Sequence, residues 1–398
     1  MFLQILLAII LGITAGTITG LIPGIHVNLI SIILISLSPT LLGYTNVLVL
    51  SCFIIGMAVT HSFLDSIPSI FLGAPDSDNV LIVLPGHKLL LEGKGYEAVK
   101  LTIVGSLICL IFATLIVPLL IPTVEIIYPI INKYMGLILL TIVLFMILKD
   151  SSRVKNAVIF FLSGTLGLIV LNLEMENPLL PLLSGLFGTS MLILSLTQKV
   201  KIPKQEISDT IIIPKKEKIQ AILGGTIAGT LTSFFPGLGP SQGAVIATQF
   251  LRKISDHGFM ILVGGLNTVN FVLSLVTFLV LDKARNGAVI AIKELIIIDG
   301  KILMVFIGAT LITGGVATML ALNITKIFSR IFEKIEYNDL IEYVIMLIIV
   351  MTFWFSGFLG LLILITSTAV GIITSELKVA KNHAMGCLLL PVILFFLL

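Results

Sequence analysis

Long apolar runs separated by short polar punctuation fill almost the whole chain. They fall near residues 2–22, 27–42, 46–72, 79–91, 99–122, 135–148, 156–173 and 179–196. After a polar stretch at 199–218 they resume at 219–235, 240–251, 258–281, 288–298, 302–323, 340–356, 358–375 and 384–398. Strands of a membrane barrel alternate apolar and polar positions, whereas these runs are continuous, so they predict helices. A helix needs about 20 residues to cross a hydrocarbon core of about 30 Å. The runs well below that length, next to Pro-Gly and Gly-Ala-Pro breaks, predict re-entrant half-helices, whose irregular tips are tolerated where protein buries them or they line a cavity. The pattern predicts an all-α polytopic membrane protein.

The pattern also repeats. Gly16-Thr17-Ile18-Thr19-Gly20 with Pro23-Gly24 returns as Gly225-Thr226-Ile227-Ala228-Gly229 with Pro236-Gly237. Gly56, Thr60, Phe63 and Ser66 return as Gly264, Thr268, Phe271 and Ser274, and Asn79 with Glu92-Gly93-Lys94 as Asn286 with Asp299-Gly300-Lys301. Two membrane repeats follow, 1–198 and 219–398, joined by a basic linker at 199–218. Duplicated halves with glycine-proline breaks at matching places are the sequence signature of a secondary transporter.

Loop charge sets the orientation, because Lys and Arg collect on the cytoplasmic side. Six lysines place the linker inside, Lys149, Arg153 and Lys155 lie inside two spans earlier, and the loop Leu173-Glu174-Met175-Glu176-Asn177 between them is acidic and outside. In the second half the characters swap: the turn near 357 is uncharged, and 376–383 carries Lys378, Lys381 and His383. The swap predicts inverted topology for the two repeats, with about five crossings plus re-entrant hairpins in each, and both termini outside. Lys283, Arg285, Lys293 and Lys301 then fall outside, where long basic side chains can snorkel.

Composition agrees and narrows the function. With 57% hydrophobic and 11% charged residues and a mean hydropathy of +1.18, a soluble fold could not hide this much apolar surface. Met1–Leu21 lacks the basic start and cleavage site of a signal peptide and reads as part of the mature fold. A formal charge of +3 spread over loops suggests no nucleic-acid partner. Cys52, Cys109 and Cys387 lie far apart in apolar runs and read as buried small hydrophobes, with no disulfide or metal framework and no cofactor implied. No phosphate loop, Gly-x-Ser-x-Gly elbow or His-Glu-x-x-His helix is present, so a hydrolytic enzyme or self-powered pump is not indicated.

Three polar islands are the candidate chemistry. Around the breaks, Pro23, Gly24, His26 and Asn28 in the first half and Pro236, Gly237, Gly239, Ser241 and Gln242 in the second interrupt apolar helices with residues that remove donors or permit unusual backbone angles. Half-helix N-termini exposed there suit a carboxylate or phosphate, although a plain kink or tight hairpin would read the same way. Within 60–69, Thr60, His61, Ser62 and Asp65 put two ionisable groups one turn apart on a helical face. Asp65 is a candidate proton carrier or sodium ligand with His61 as partner, or half of a structural pair. The repeat-related positions are Val269 and Leu273, so an ionisable role belongs to one half, and the second half offers Asn267, Thr268, Asn270 and Ser274 instead. In the third island, Asp76, Asp78 and Asn79 follow Pro75, as cation ligands, helix caps or an aqueous turn. No resident metal is expected beyond a transported sodium.

The run Gly73-Ala74-Pro75-Asp76-Ser77, followed by Leu84-Pro85-Gly86-His87-Lys88 and Glu92-Gly93-Lys94-Gly95-Tyr96, resembles the hallmark segment of the large membrane subunit of tripartite tricarboxylate transporters, the TctA family. The openings Gly16 to Gly24 and Gly225 to Gly237 are similar to that family's paired signatures, and the chain looks closest to its short archaeal-type branch. Pro85-Gly86-His87 stands where the family usually has Asp-Gly-Tyr. The resemblance implies an ion-driven uptake permease for small organic anions, di- or tricarboxylates, in the cell membrane. It also implies a small membrane subunit and an extracytoplasmic binding protein as partners. The residues alone give an inverted-repeat carrier using sodium or protons, and leave open a flippase for an anionic lipid such as a polyprenyl phosphate, or a non-transporting scaffold.

Overall fold

The computed structural model describes residues 1–23, 27–73, 80–149, 152–196, 203–208, 213–235, 238–251, 254–284, 286–333 and 337–398. Among them no strand occurs, and the all-helical expectation holds. The first half runs α1 (Phe2–Leu21), α2 (Val27–Leu41), α3 (Val47–Leu64), α4 (Ser66–Phe71), α5 (Val83–Leu91), α6 (Gly95–Lys149) and α7 (Arg153–Leu171). It ends in α8 (Leu179–Leu183) and α9 (Ser190–Leu196), joined by the wider π turn Ser184–Thr189. The second half runs α10 (Lys215–Phe234), α11 (Pro240–Phe250), α12 (Asp256–Leu281), α13 (Gly287–Leu295), α14 (Gly300–Phe332), α15 (Tyr337–Glu376) and α16 (Gly386–Leu397). Eight helical segments among the described residues are long and apolar enough to cross a membrane.

Local chemistry explains the boundaries. Ile22 and Phe235 adopt extended backbone before Pro23 and Pro236, because a proline ring disfavours the helical region for the residue ahead of it, and so α1 and α10 stop there. Pro68 offers no N–H to the Leu64 carbonyl, so α3 gives way to α4 at Asp65. Asn46, Ser255, Asn286 and Asp299 open α3, α12, α13 and α14 by accepting a hydrogen bond from a first-turn N–H.

Helices α3 and α12, apolar around most of their circumference, are the most enclosed of the spanning helices. Helix α1 lies along α3 and α10 along α12, while α6 lies along α12 and α14 along α3. Each half thus lends its long helix to the central helix of the other. The same exchange recurs farther on, where α7 packs on α16, and α15 packs on α8, the π turn and α9. Close approach makes these crossings possible: a Cβ at Gly16 would run into the Met57 carbonyl oxygen, and one at Gly225 would sit 2.7 Å from that of Leu262. Small residues serve in this way where lipid supplies no hydrophobic force between helices.

Two stretches show what the sequence alone does not. The runs 99–122 and 135–148 belong to the one continuous helix α6, which carries on through residues 123–134 although Thr123, Val124, Ile126, Ile127 and Pro129 there are weak helix formers. Drawn straight, its 55 residues would span about 82 Å at about 1.5 Å each. It is not straight. Ser106 reaches Gly264 near the start of α12, Tyr128 meets Lys283 beyond the far end of α12, and Lys149 shares a cleft with Asp256 back at the start. Pro118, Pro122 and Pro129, each lacking a helical donor, lie in the stretch where α6 must bend. Helix α15 contains a true break at Gly357, with φ 62 and ψ −161, at the uncharged turn expected there.

The second stretch is the linker. Its described portion, 203–208, is docked. Gln205 is buried, with Oε1 accepting from Gly95 N–H (2.9 Å) and Nε2 donating to the Leu90 carbonyl (3.0 Å), which bridges the ends of α5 and α6. Its own N–H donates to Glu333 Oε1 (3.0 Å) at the end of α14.

Gly264 lies against the Thr102 backbone, so Gly264→Val would force α6 and α12 apart. We expect a loss of about 1–3 kcal/mol or more, read as a lower unfolding temperature of the detergent-purified protein.

Candidate functional site

The two central helices carry the buried polar side chains, beside the ends of the two broken helices. In the first half His61 is buried on α3, and its Nδ1 lies 3.1 Å from Thr19 Oγ1 near the end of α1. Asp65 is buried at the α3–α4 junction; its N–H donates to the His61 carbonyl (2.9 Å), and its own carbonyl accepts from Ser69 Oγ (2.8 Å). Thr60 is fully buried, and its hydroxyl finds no hydrogen-bond partner among the described residues. Ser62, half-buried, turns back to the Val59 carbonyl (2.9 Å). Below the junction, Thr102 Oγ1 on α6 donates to Ser66 Oγ (3.1 Å).

In the second half Asn267, Thr268, Asn270 and Ser274 are all buried on α12. Asn270 Nδ2 donates to Thr232 Oγ1 (2.9 Å) near the end of α10, as Thr19 near the end of α1 meets His61 in the first half. Thr268 satisfies the Gly264 carbonyl (3.3 Å), and Ser274 Oγ has no hydrogen-bond partner among the described residues. After the second break, Gly239 caps α11, Pro240 takes the first helical position, and Gln242 Oε1 accepts from Gly239 N–H (3.0 Å). Ser241 and Gln242 are buried. Gly243, one residue on, packs against Thr232 and Leu266, so the start of α11 sits on the same Thr232 that holds Asn270.

The structure therefore brings Gly239, Ser241, Gln242 and Asn270 to one neighbourhood, with Asn267 and Thr268 on the adjoining turn of α12. It brings Thr60, His61 and Asp65 to the end of α1, where Pro23 follows Ile22. Helices α3 and α12 also touch each other. Gly24, His26, Asp76, Asp78, Asn79, Pro236 and Gly237 lie outside the described residues; Asn28 is in the first turn of α2, with its side chain outside them. Sequence reasoning missed Thr19 and Thr232 as partners. Thr19 sits inside the repeated Gly-Thr-Ile motif, but Thr232 has no counterpart there, so no pattern marked the pair. Among the described residues no group of three or more His, Cys, Asp or Glu is placed to hold a metal.

A chain of helices joined by turns and short irregular links, with spanning-length apolar helices and a buried polar layer on two central ones, is a polytopic membrane protein of transporter type. The sequence profile of the tripartite tricarboxylate transporter TctA family matches residues 6–386, and the chain belongs to that family. An uncharacterized protein of Methanocaldococcus jannaschii is 31% identical over 406 residues, covering 98% of this chain and 99% of the relative. No solved structure matches the chain.

Thr232→Val would leave the buried Asn270 amide without its acceptor, at about 1–3 kcal/mol. We expect a lower unfolding temperature for that variant, partly restored by adding Asn270→Leu, which removes the orphaned donor.

Proposed function

We propose that this protein is an ion-coupled secondary transporter of small organic anions, with di- or tricarboxylates as the substrate class. Family membership supports the class, and the single observation that carries the mechanism is the polar layer buried along α3 and α12 where α1 and α10 break. Buried polar groups are expensive in a membrane and concentrate where a solute or ion passes. The start of α11, with Gly239, Ser241 and Gln242, and the neighbouring Asn267, Thr268 and Asn270 offer N–H, hydroxyl and amide groups without charge. Pro23, Gly24, His26, Asn28, Pro236 and Gly237 complete the substrate region in this proposal.

Ion coupling is assigned to the first half: Asp65 carries the sodium or proton dependence, His61 and Thr60 flank it, and Ser62, Asp76, Asp78 and Asn79 are further oxygen donors. The two halves, 1–198 and 219–398, are proposed to be inverted repeats, which the reciprocal packing of α6 on α12 and α14 on α3 supports. In the cell membrane the chain would work with a small membrane subunit and an extracytoplasmic binding protein.

The test is uptake of labelled citrate into proteoliposomes under an imposed sodium or proton gradient. Gradient-dependent accumulation is expected, and Asp65→Asn should abolish its ion dependence while leaving the folded protein intact. Accumulation indifferent to both gradients would overturn the coupling; no accumulation of any di- or tricarboxylate would overturn the substrate class.

A further inference from the structure

A cleft of about 760 Å³ lies at the junction of two helix groups, away from the polar layer. One wall comes from Val80–Leu91 and the meeting of α11 with α12, including Lys88, Ser255 and Asp256. The other comes from the end of α6 at Lys149, the π turn at Phe187, and Ala380, Lys381 and Asn382 ahead of α16. Its size is that of a small-molecule site.

Charge in the cleft is one-sided. Among the described residues three lysines and one aspartate line it, a balance of two positive charges. Lys88 donates to Asp256 Oδ2 at 2.7 Å across the wall, and that carboxylate holds its ammonium above the ordinary range. Lys149 lies over the Phe145 ring at 5.6 Å and has no carboxylate partner among the described residues. Lys381 is half-buried and directs its ammonium onto three neutral oxygens: the Leu186 carbonyl (3.1 Å), Ser190 Oγ (3.1 Å) and the Gly371 carbonyl (2.9 Å). The Leu186 carbonyl belongs to the π turn, whose wider winding frees backbone oxygens that an α-helix would use. These three bonds satisfy the donors of Lys381 but not its charge, and burial without a counter-ion holds the ammonium down to about 8.

We propose that this cleft binds a small multivalent oxyanion, a carboxylate or phosphate, between Lys149 and the Lys88–Asp256 pair, with Lys381 supplying field from behind. An oxyanion here supplies the charge that no described side chain provides to Lys149 and Lys381, and it draws Lys88 partly away from Asp256. Two of the loops that form the cleft, around Lys149 and Lys381, are among those that the distribution of Lys and Arg assigns to the cytoplasmic side, the face where an imported anion would leave. It stands apart from the polar layer of α3 and α12 and is tested apart from it.

Equilibrium binding of citrate and of inorganic phosphate to the full chain in zwitterionic nanodiscs, by calorimetry, tests the proposal. Lys149→Gln should weaken binding about two- to fivefold, and Lys149→Arg should restore it. Asp256→Asn should tighten binding by a similar factor, because it frees Lys88 and removes the competing carboxylate. A damaged fold could not produce that gain. Unchanged affinity for both anions in Lys149→Gln and Asp256→Asn, or weaker binding in Asp256→Asn, would overturn the cleft site, whatever the uptake assay with Asp65→Asn reports. Repeating the titration with phosphatidic acid in the discs, whose phosphomonoester is multivalent, separates two sources of the ligand: citrate displaced by the lipid assigns the cleft to a phosphate headgroup, and citrate retained assigns it to a soluble anion.

Discussion

Hydrocarbon offers a peptide group nothing to bond to, and an unpaired N–H or C=O there costs several kcal/mol. A chain that breaks apolar helices at Pro23 and Pro236 has to enclose the severed ends in its own polar groups. The arrangement around α3 and α12 follows from that demand. These two helices are enclosed by the rest of the chain, each broken helix lies against one of them, and the turn before each break is tied to it by a threonine, Thr19 to His61 and Thr232 to Asn270. The small residues along α1 and α10 bring the backbones close enough for those short side chains to meet.

Similar frames carry different chemistry in the two halves. Where the first half places an imidazole and a carboxyl on its central helix, the second places Val269 and Leu273 at the repeat-related positions and sets Asn267 and Asn270 beside them. A pair of amides can donate and accept with no change of charge, whereas a histidine and an aspartate can exchange protons. The neutral group stands at the start of α11, where N–H groups gather, and the ionisable group stands where α3 gives way to α4.

Much of the fold is legible in the sequence because the relevant physics is local. Proline ends α1 and α10 through the residue before it, Gly357 breaks α15 through its positive φ, and Asn46 and Asp299 announce helix starts through their own side chains. What the sequence hides is set by distant partners. Residues 123–134 read as an interruption because Glu125, Asn132 and Lys133 break the apolar run, yet polarity alone does not unwind a helix. Gln205 sits in a stretch that reads as a basic linker, and only the folded chain shows that the ends of α5 and α6 meet at its amide. Candidate site residues were legible by type, since buried polar groups stand out in an apolar run. Their grouping was not: Lys88, Lys149, Asp256 and Lys381 are scattered over nearly 300 residues and face one space.

Helix α6 belongs to both helix groups. Its first part packs on α12, and its later part reaches α16 and the cleft. Chains that rock one bundle against another usually place a flexible loop at the pivot, and here the connection is unbroken helix carrying three prolines. A proline-bearing helix that runs out along α12 and returns joins the two groups through one element, with no glycine-rich loop between them. The lip of the cleft at Lys149 is the end of the returning arm, so where that lip stands is fixed by where α6 turns back.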